Sequence, residues 1–504
     1  MRTKMKVSQY LKKISGKKVN ELLRAYLEKF GDGQAHLLRV PARINLLGTH
    51  IEHRGGYVNY LTIDKEMWCI AGEREDQKIV AYNLEGKYSP EEFEIRKEFP
   101  GKGVEWLDFI RKVKVVPGNW MNYIKAPISY LQNKFPDTLL KGMNLYFYGE
   151  IPVGAGLSSS SALVVATMLS ACKISGLDIE QEKLVEMCGE AEWYVGTRGG
   201  SGDHAAMIFG RKNQIAHMRF FPFKLEYLPF PEDYQVICCN SLIEAKKSEQ
   251  AKSIFNERIA SYEIGFRLIR KNFPETQDKL VYLRDINPEN LGSEKLVYEM
   301  ISSLPESARR NEILKLLPEE KLETFFETHN EPENGYYLRN VIMYGISECE
   351  RTKKCANFLK KKKIEKFGEL MYISHDGDRV VKFSPDGKMK KWQYRVDDKY
   401  LFELIEDLES SDSGKRQRAR IYNQPGAYGC STPELDFIVD LVKQIPKVKG
   451  AKLTGAGLGG CILILVEKES AEEVVEIVNE KYYRARDLPE VAFICNSVEG
   501  AKFV

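Results

Sequence analysis

Apolar and polar positions alternate with a period of two over residues 144–148 (NLYFY), which predicts a strand. A Gly/Ser loop follows, and then a nearly continuous apolar run over 163–172 that stops near Gly176, which predicts a helix. Further along, 234–239 predicts a strand and 254–270 an amphipathic helix. Residues 451–453 and 461–466 predict two strands on either side of a second Gly-rich loop. Strands and helices interleave without a fixed-period repeat, so the class is α+β (mixed α/β), and solenoids and propellers are excluded. Two stretches, 280–335 and 376–425, break the pattern with polar, Pro-containing segments and read as surface insertions. In the second, S-P-D-G between Val/Phe and Trp/Tyr alternations predicts a hairpin.

The chain has 504 residues, enough for more than one domain. The apolar stretch 461–466 (CILILV) is far short of the roughly 20 residues that span a bilayer, so no membrane partner is expected. Lysine plus arginine is 75 against 72 acidic residues, a balance that gives no electrostatic case for nucleic acid. The run 360–363 (KKKK) reads as the solvated face of a helix ending near Gly368, and the basic first twenty residues as an exposed starting helix rather than an organelle address. Ten cysteines without a C-x-x-C pair fit buried thiols in a reducing cytoplasm.

Four segments carry candidate chemistry. In 151–162 (IPVGAGLSSSSA), Gly154 and Gly156 admit close backbone approach, and Leu157, Ser158, Ser159 and Ser160 lead into a helix whose positive end faces the loop. That is a phosphate cradle, and it is not a P-loop, because no G-x-x-x-x-G-K-[ST] occurs. In 453–461 (LTGAGLGGC), Gly455, Gly457 and Gly460 match G-x-G-x-x-G, but the loop runs into a strand instead of opening a helix. It reads as a backbone turn packed beside the first loop rather than a dinucleotide site. In 40–58 (VPARINLLGTHIEHRGGYV), Arg43, His50, Glu52, His53 and Arg54 crowd a short turn-rich stretch, which is costly unless each polar group has a partner. In 195–206 (VGTRGGSGDHAA), Asp203 taken alone reads as a helix cap, with proton acceptance from a hydroxyl as the alternative.

These blocks, with 120–125 (WMNYIK), 370–377 (LMYISHDG) and 431–439 (STPELDFIV), occur in the order in which members of the galactokinase family of GHMP kinases carry them. The chain resembles that family from about residue 37 to 466. The resemblance implies two domains, drawn here at 1–235 and 236–504: an N-terminal half like ribosomal protein S5 domain 2 and a ferredoxin-like C-terminal half, with the site between them. It implies ATP on the serine loop and Mg²⁺ on Ser159 or Ser160, with Ser160 preferred. An acidic magnesium ligand is also implied, and the sequence does not place it. The partners are then a small sugar and ATP, in a cytoplasmic monomer or weak homodimer. Asp203 becomes the catalytic carboxylate beside the anomeric hydroxyl and Arg43 the stabiliser of the transferring phosphate. An Asp salt-bridged to Arg43 would have a lowered pKa and be a weak base.

The family reads G-E-H-T-D-Y where this chain has Gly48-Thr49-His50-Ile51-Glu52-His53. By that alignment the sugar-side residues are Thr49, His50, Glu52, Gly200 and Phe255, the last standing where the family has a sugar-contacting tyrosine. Loss of the carboxylate at Thr49 removes repulsion of an acidic sugar, and Arg54 offers a carboxylate partner, so a galactose-type sugar and a galacturonic acid both stand as substrates. A catalytically silent sugar and ATP sensor is the alternative of another class. The intact Arg43, Asp203 and serine loop speak against it.

Overall fold

The computed structural model describes residues 4–99, 101–196, 199–243 and 249–504. Two sheets organise it. The larger has nine strands, with Gln34–Leu47 and Val58–Arg74 at its centre. The first of these is buried at every position after Gln34, as a strand covered on both faces must be. Strand Gly142–Gly149 pairs antiparallel with Val58–Arg74 and parallel with Lys78–Asn83. The alternation read in NLYFY has its reason here: Leu145 and Phe147 are fully buried while Asn144 and Tyr146 are half-buried.

The smaller sheet is antiparallel, in the order Val448–Leu453, Cys461–Glu467, Tyr234–Asn240 and Phe493–Cys495. The chain then returns to the first sheet, where Lys502–Phe503 pairs with Arg39 and Leu38. The architecture is thus mixed α/β, with two separate principal sheets.

Helix Ser159–Ser175 is apolar almost all round and is correspondingly buried between Ser161 and Ile174, except at half-buried Leu169 and exposed Lys173. Gly176 ends it in the left-handed conformation, at φ +71°, with its N–H on the Cys172 carbonyl. The S-P-D-G hairpin forms as predicted: Val381–Phe383 pairs with Met389–Lys391, and Gly387, at φ +79°, donates to the Ser384 carbonyl. All ten cysteines are free and buried. Among the described residues no helix is long and apolar enough to cross a membrane.

Three expectations need correction. The two supposed insertions are not surface decoration. Val297, Tyr298, Met300 and Ile301 from the first, and Val396, Leu401, Ala419 and Ile421 from the second, share a core with helix Leu338–Lys360. The start of the chain is not an exposed helix. Val7 and Tyr10, then Val19, Leu22, Leu23 and Tyr26 of helix Lys17–Phe30, pack against the first sheet. The KKKK run is not within one helix either. Lys360 ends one helix and Lys361 to Lys363 form the corner before helix Ile364–Asp378, which runs through Gly368; the glycine there is required by packing, since a Cβ would lie 2.1 Å from the Lys449 carbonyl, and is not a stop.

Candidate active site

The Gly/Ser loop 151–162 lies directly against the second Gly-rich loop, 453–461. A Cβ on Gly156 would lie 3.0 Å from the Thr454 carbonyl, one on Gly455 3.0 Å from the Gly156 carbonyl, and one on Gly460 3.1 Å from that of Ala155. The second Gly-rich loop therefore backs the first. Thr454 Oγ1 also accepts the N–H of Asn45 at 3.1 Å, tying both loops to the central strand. Gly154, in contrast, has nothing within 4 Å of its would-be Cβ, so the loop is open on that side.

Ser158 precedes the helix in the left-handed region, at φ +59°, and does not cap it. Its hydroxyl donates instead to Asp203. The first N–H groups of the helix, at Ser159, Ser160 and Ser161, have no intrahelical acceptor, as at any helix start, and stay available to an anion. Leu157 is fully buried and anchors the loop from below.

Asp203 sits in the first turn of helix Gly202–Phe209, whose N-cap is Ser201. Its carboxylate is not used as a cap, which corrects the reading of the isolated segment. Arg43 reaches it from the central strand with Nε to Oδ1 at 2.6 Å and Nη2 to Oδ2 at 2.5 Å. The same guanidinium donates to the Gly156 carbonyl at 2.7 Å and to Ser158 Oγ. Tyr60 adds a longer hydrogen bond of 3.3 Å. Burial alone would raise the pKa of Asp203, but the Arg43 charge and its hydrogen bonds outweigh it and bring the group down to about 2.

Glu52 faces this pair. Its Oε1 accepts the Gly202 N–H at 2.9 Å, and it lies so close to the Gly200 and Gly202 backbone that a Cβ there would fall 1.9 and 2.3 Å from its carboxylate oxygens. Burial, and then the charge of Asp203, push Glu52 up to about 7.

Thr49 and His50 lie in a neighbouring buried cluster rather than on Asp203. Lys452 Nζ donates to Thr49 Oγ1 at 3.0 Å and to the Leu453 carbonyl at 2.7 Å. Burial brings Lys452 down to about 8. His50 stacks on Tyr428 with ring centroids 4.2 Å apart and has its Nε2 3.3 Å from Asp378 Oδ1. Arg54 pairs with Glu263 and lies over the Tyr262 ring, so the guanidinium that the sequence offered to a sugar carboxylate is engaged elsewhere. Phe255 is half-buried on helix Glu249–Asn272, outside these contacts. Thr197 and Arg198 of the Gly-rich approach lie outside the described residues.

Sequence reasoning missed Glu192. Its Oε2 accepts Ser161 Oγ at 2.9 Å, in the first turn of the loop helix, and stands 2.9 Å from His204 Nε2. Burial opposes its charge, but His204 and Ser161 prevail and lower its pKa. The remaining blocks are scaffolding. Ser374 donates to Glu348, His375 lies 3.1 Å from Asp436, and Ser431 donates to the same Asp436, whose other oxygen takes the N–H groups of Val380 and Val381.

Comparison with known proteins gives the same picture. Residues 122–211 match the GHMP kinases N terminal domain, 401–484 the GHMP kinases C terminal domain, and 24–73 the galactokinase galactose-binding signature. A galactokinase of Schizosaccharomyces pombe is 26% identical over 94% of this chain and 90% of its own length. One from Clostridium perfringens is 28% identical over 92% and 94%. The crystal structure of Lactococcus lactis galactokinase complexed with galactose superposes with a TM-score of 0.66 at 22% identity, covering 97% of this chain and 100% of that one. The galactose-binding signature spans Arg43 and the N-terminal domain match spans Ser158 and Asp203, so the chain carries the N- and C-terminal domains of the GHMP kinases together with the galactokinase signature.

Proposed function

We propose that the protein transfers the γ-phosphoryl group of ATP to the anomeric hydroxyl of galactose, giving galactose 1-phosphate. The observation that carries this reading is the two-pronged Arg43–Asp203 pair seated on Ser158 and Gly156, which joins the carboxylate that meets the acceptor to the loop that cradles the phosphates. Phosphoryl transfer passes through a loose transition state and needs orientation and charge stabilisation more than covalent help. Asp203, held near pKa 2, orients the hydroxyl and is too weak a base to ionise it early. Arg43 keeps its charge because Asp203 outweighs the cost of burial, and that charge faces the transferring group. The uncapped helix start offers its N–H groups to the phosphates.

On the sugar side, Glu52 beside Gly200 supplies hydroxyl acceptors, while Thr49 and His50 brace the turn that carries it. No group of three or more His, Cys, Asp or Glu side chains that could hold a metal occurs among the described residues. Magnesium held largely by phosphate oxygens needs only one or two hard oxygen ligands from the protein, and Glu192 with Ser160 fits that need. When bound, the ion neutralises charge on the phosphates.

Galacturonate is the less favoured acceptor, because Arg54, the partner the sequence offered to a sugar carboxylate, is already paired with Glu263 and lies over the Tyr262 ring. Release of ADP that requires both galactose and Asp203 tests the proposal.

A further inference from the structure

Away from the Asp203 site, a cavity of about 330 Å³ opens beside Gly55 and Gly56, the two residues that follow the Glu52–Arg54 turn. It shares no lining residue with the Arg43–Asp203 cluster. One wall is cationic, formed by Arg219, Arg284 and Lys353. Arg284 is structural: it donates to the carbonyls of Gly55 and Phe220, at 2.8 and 2.7 Å, and to that of Phe221. Lys353 is about one-third exposed and has Glu350 at 2.7 Å. Arg219 differs from both. Its Nε is buried with no acceptor among the described residues, and its guanidinium has only the Tyr57 ring, 5.6 Å away.

A buried N–H of a cation left without an acceptor is costly, and a phosphate offers an arginine the two-oxygen geometry that satisfies it. The other wall is an acceptor wall. The Asn290 amide donates to the carbonyls of Lys279 and Asp285, the Asp285 carboxylate takes the N–H groups of Val281 and Tyr282, and Glu289 is exposed. What remains free there is oxygen, which suits the hydroxyl groups of a ligand and repels a second anionic end.

We propose that this cavity is a second ligand site, taking a phosphate monoester of a polyhydroxylated small molecule. Resting on the function proposed above, that is the class of compound the enzyme itself makes. The phosphate sits against Arg219 and Lys353, and the hydroxyls face Asp285, Glu289 and Asn290.

The test is calorimetric titration of the full chain with galactose 1-phosphate while galactose and a non-hydrolysable ATP analogue saturate the active site. Inorganic phosphate serves as the other arm. The expected result is one saturable site for the ester, at least about tenfold weaker in Arg219→Gln and in Lys353→Gln. Both variants should keep wild-type kcat and KM for galactose and ATP. The proposal is overturned if the ester does not bind once the active site is filled, or if it binds both variants as tightly as wild type. Inorganic phosphate binding as tightly as the ester would overturn the acceptor wall's part in it. The titration reads binding and not turnover, so an inactive wild-type enzyme would remove the proposed reaction and leave this test standing.

Discussion

Arg43 meets Asp203 through two nearly parallel hydrogen bonds of 2.6 and 2.5 Å, and the same guanidinium holds the carbonyl of Gly156. One guanidinium thus ties the Asp203 helix to the Gly/Ser loop. The arginine is 5% exposed at its side chain and the aspartate 26%, so the pair is screened from water mainly on the arginine's side.

Replacing Asp203 with Asn keeps the shape and removes the charge. Turnover should fall by about 10²–10⁴ with the protein still folded, measured as steady-state kcat alongside a thermal melt. Stability should also drop by up to about 3–5 kcal/mol, because Arg43 is left buried without its partner. Near-normal kcat in a folded variant would remove Asp203 from the chemistry.

Glu52 gives a pH signature. Its folded-state pKa of about 7 lies above the usual 4.5, so the folded protein binds the extra proton between those values. Stability from this group is therefore present below about pH 4.5 and is lost as the pH rises toward 7. Activity should run the other way, since the ionised carboxylate is the better hydroxyl acceptor: kcat/KM for the sugar should rise through about pH 7 and level off. Glu52→Gln should flatten that rise, and Asp203→Asn should move the Glu52 titration, followed by NMR, to lower pH. A wild-type profile flat from pH 5.5 to 8.5 would contradict the assignment.

Thr49 is tied to a wholly buried lysine. In Thr49→Val, Lys452 loses one of its two acceptors, and the cost should be about 1–3 kcal/mol in urea unfolding. The KM for galactose should change far less than the stability does. A large KM change with unaltered stability would place the Thr49 hydroxyl on the sugar.

The acceptor's charge is a further discriminator. With Arg54 held by Glu263 and Tyr262, the guanidinium that the sequence offered to a sugar carboxylate is not free to pair with it. Galacturonate should therefore have a kcat/KM at least about 10²-fold below galactose, as about 3 kcal/mol of unpaired burial implies. Equal values in a direct competition assay would revive the uronate reading.

Much of this was legible in the sequence because the signals are local. The Gly154/Gly156 loop, the stop at Gly176 and the S-P-D-G turn each depend on a few adjacent residues whose backbone freedom fixes the outcome. The crowding of charges in 40–58 also announced itself: Arg43, Glu52 and Arg54 find partners in Asp203, the Gly202 N–H and Glu263, while Asn45 Oδ1, His50 Nε2 and Arg54 Nε are buried without a hydrogen-bond partner. What escaped was non-local. Lys452 captures Thr49 across 403 residues, and nothing near either residue foretells it. Glu192 sits at the end of an ordinary amphipathic helix, and only the packing of that helix on Ser159–Ser175 brings it to Ser161. The supposed insertions misled for the same reason. Their apolar positions, such as Tyr298 and Ile301, are short runs whose burial partner, helix Leu338–Lys360, is distant in the chain.

The most direct test of the central claim is ADP release with Mg-ATP across galactose, N-acetylgalactosamine, arabinose, galacturonate and glucuronate, with Asp203→Asn as the blank. The account predicts strong turnover on galactose that disappears in the blank, with galacturonate far behind. No ADP release on any sugar from a folded protein that still binds galactose or ATP would contradict it and point to a sensor.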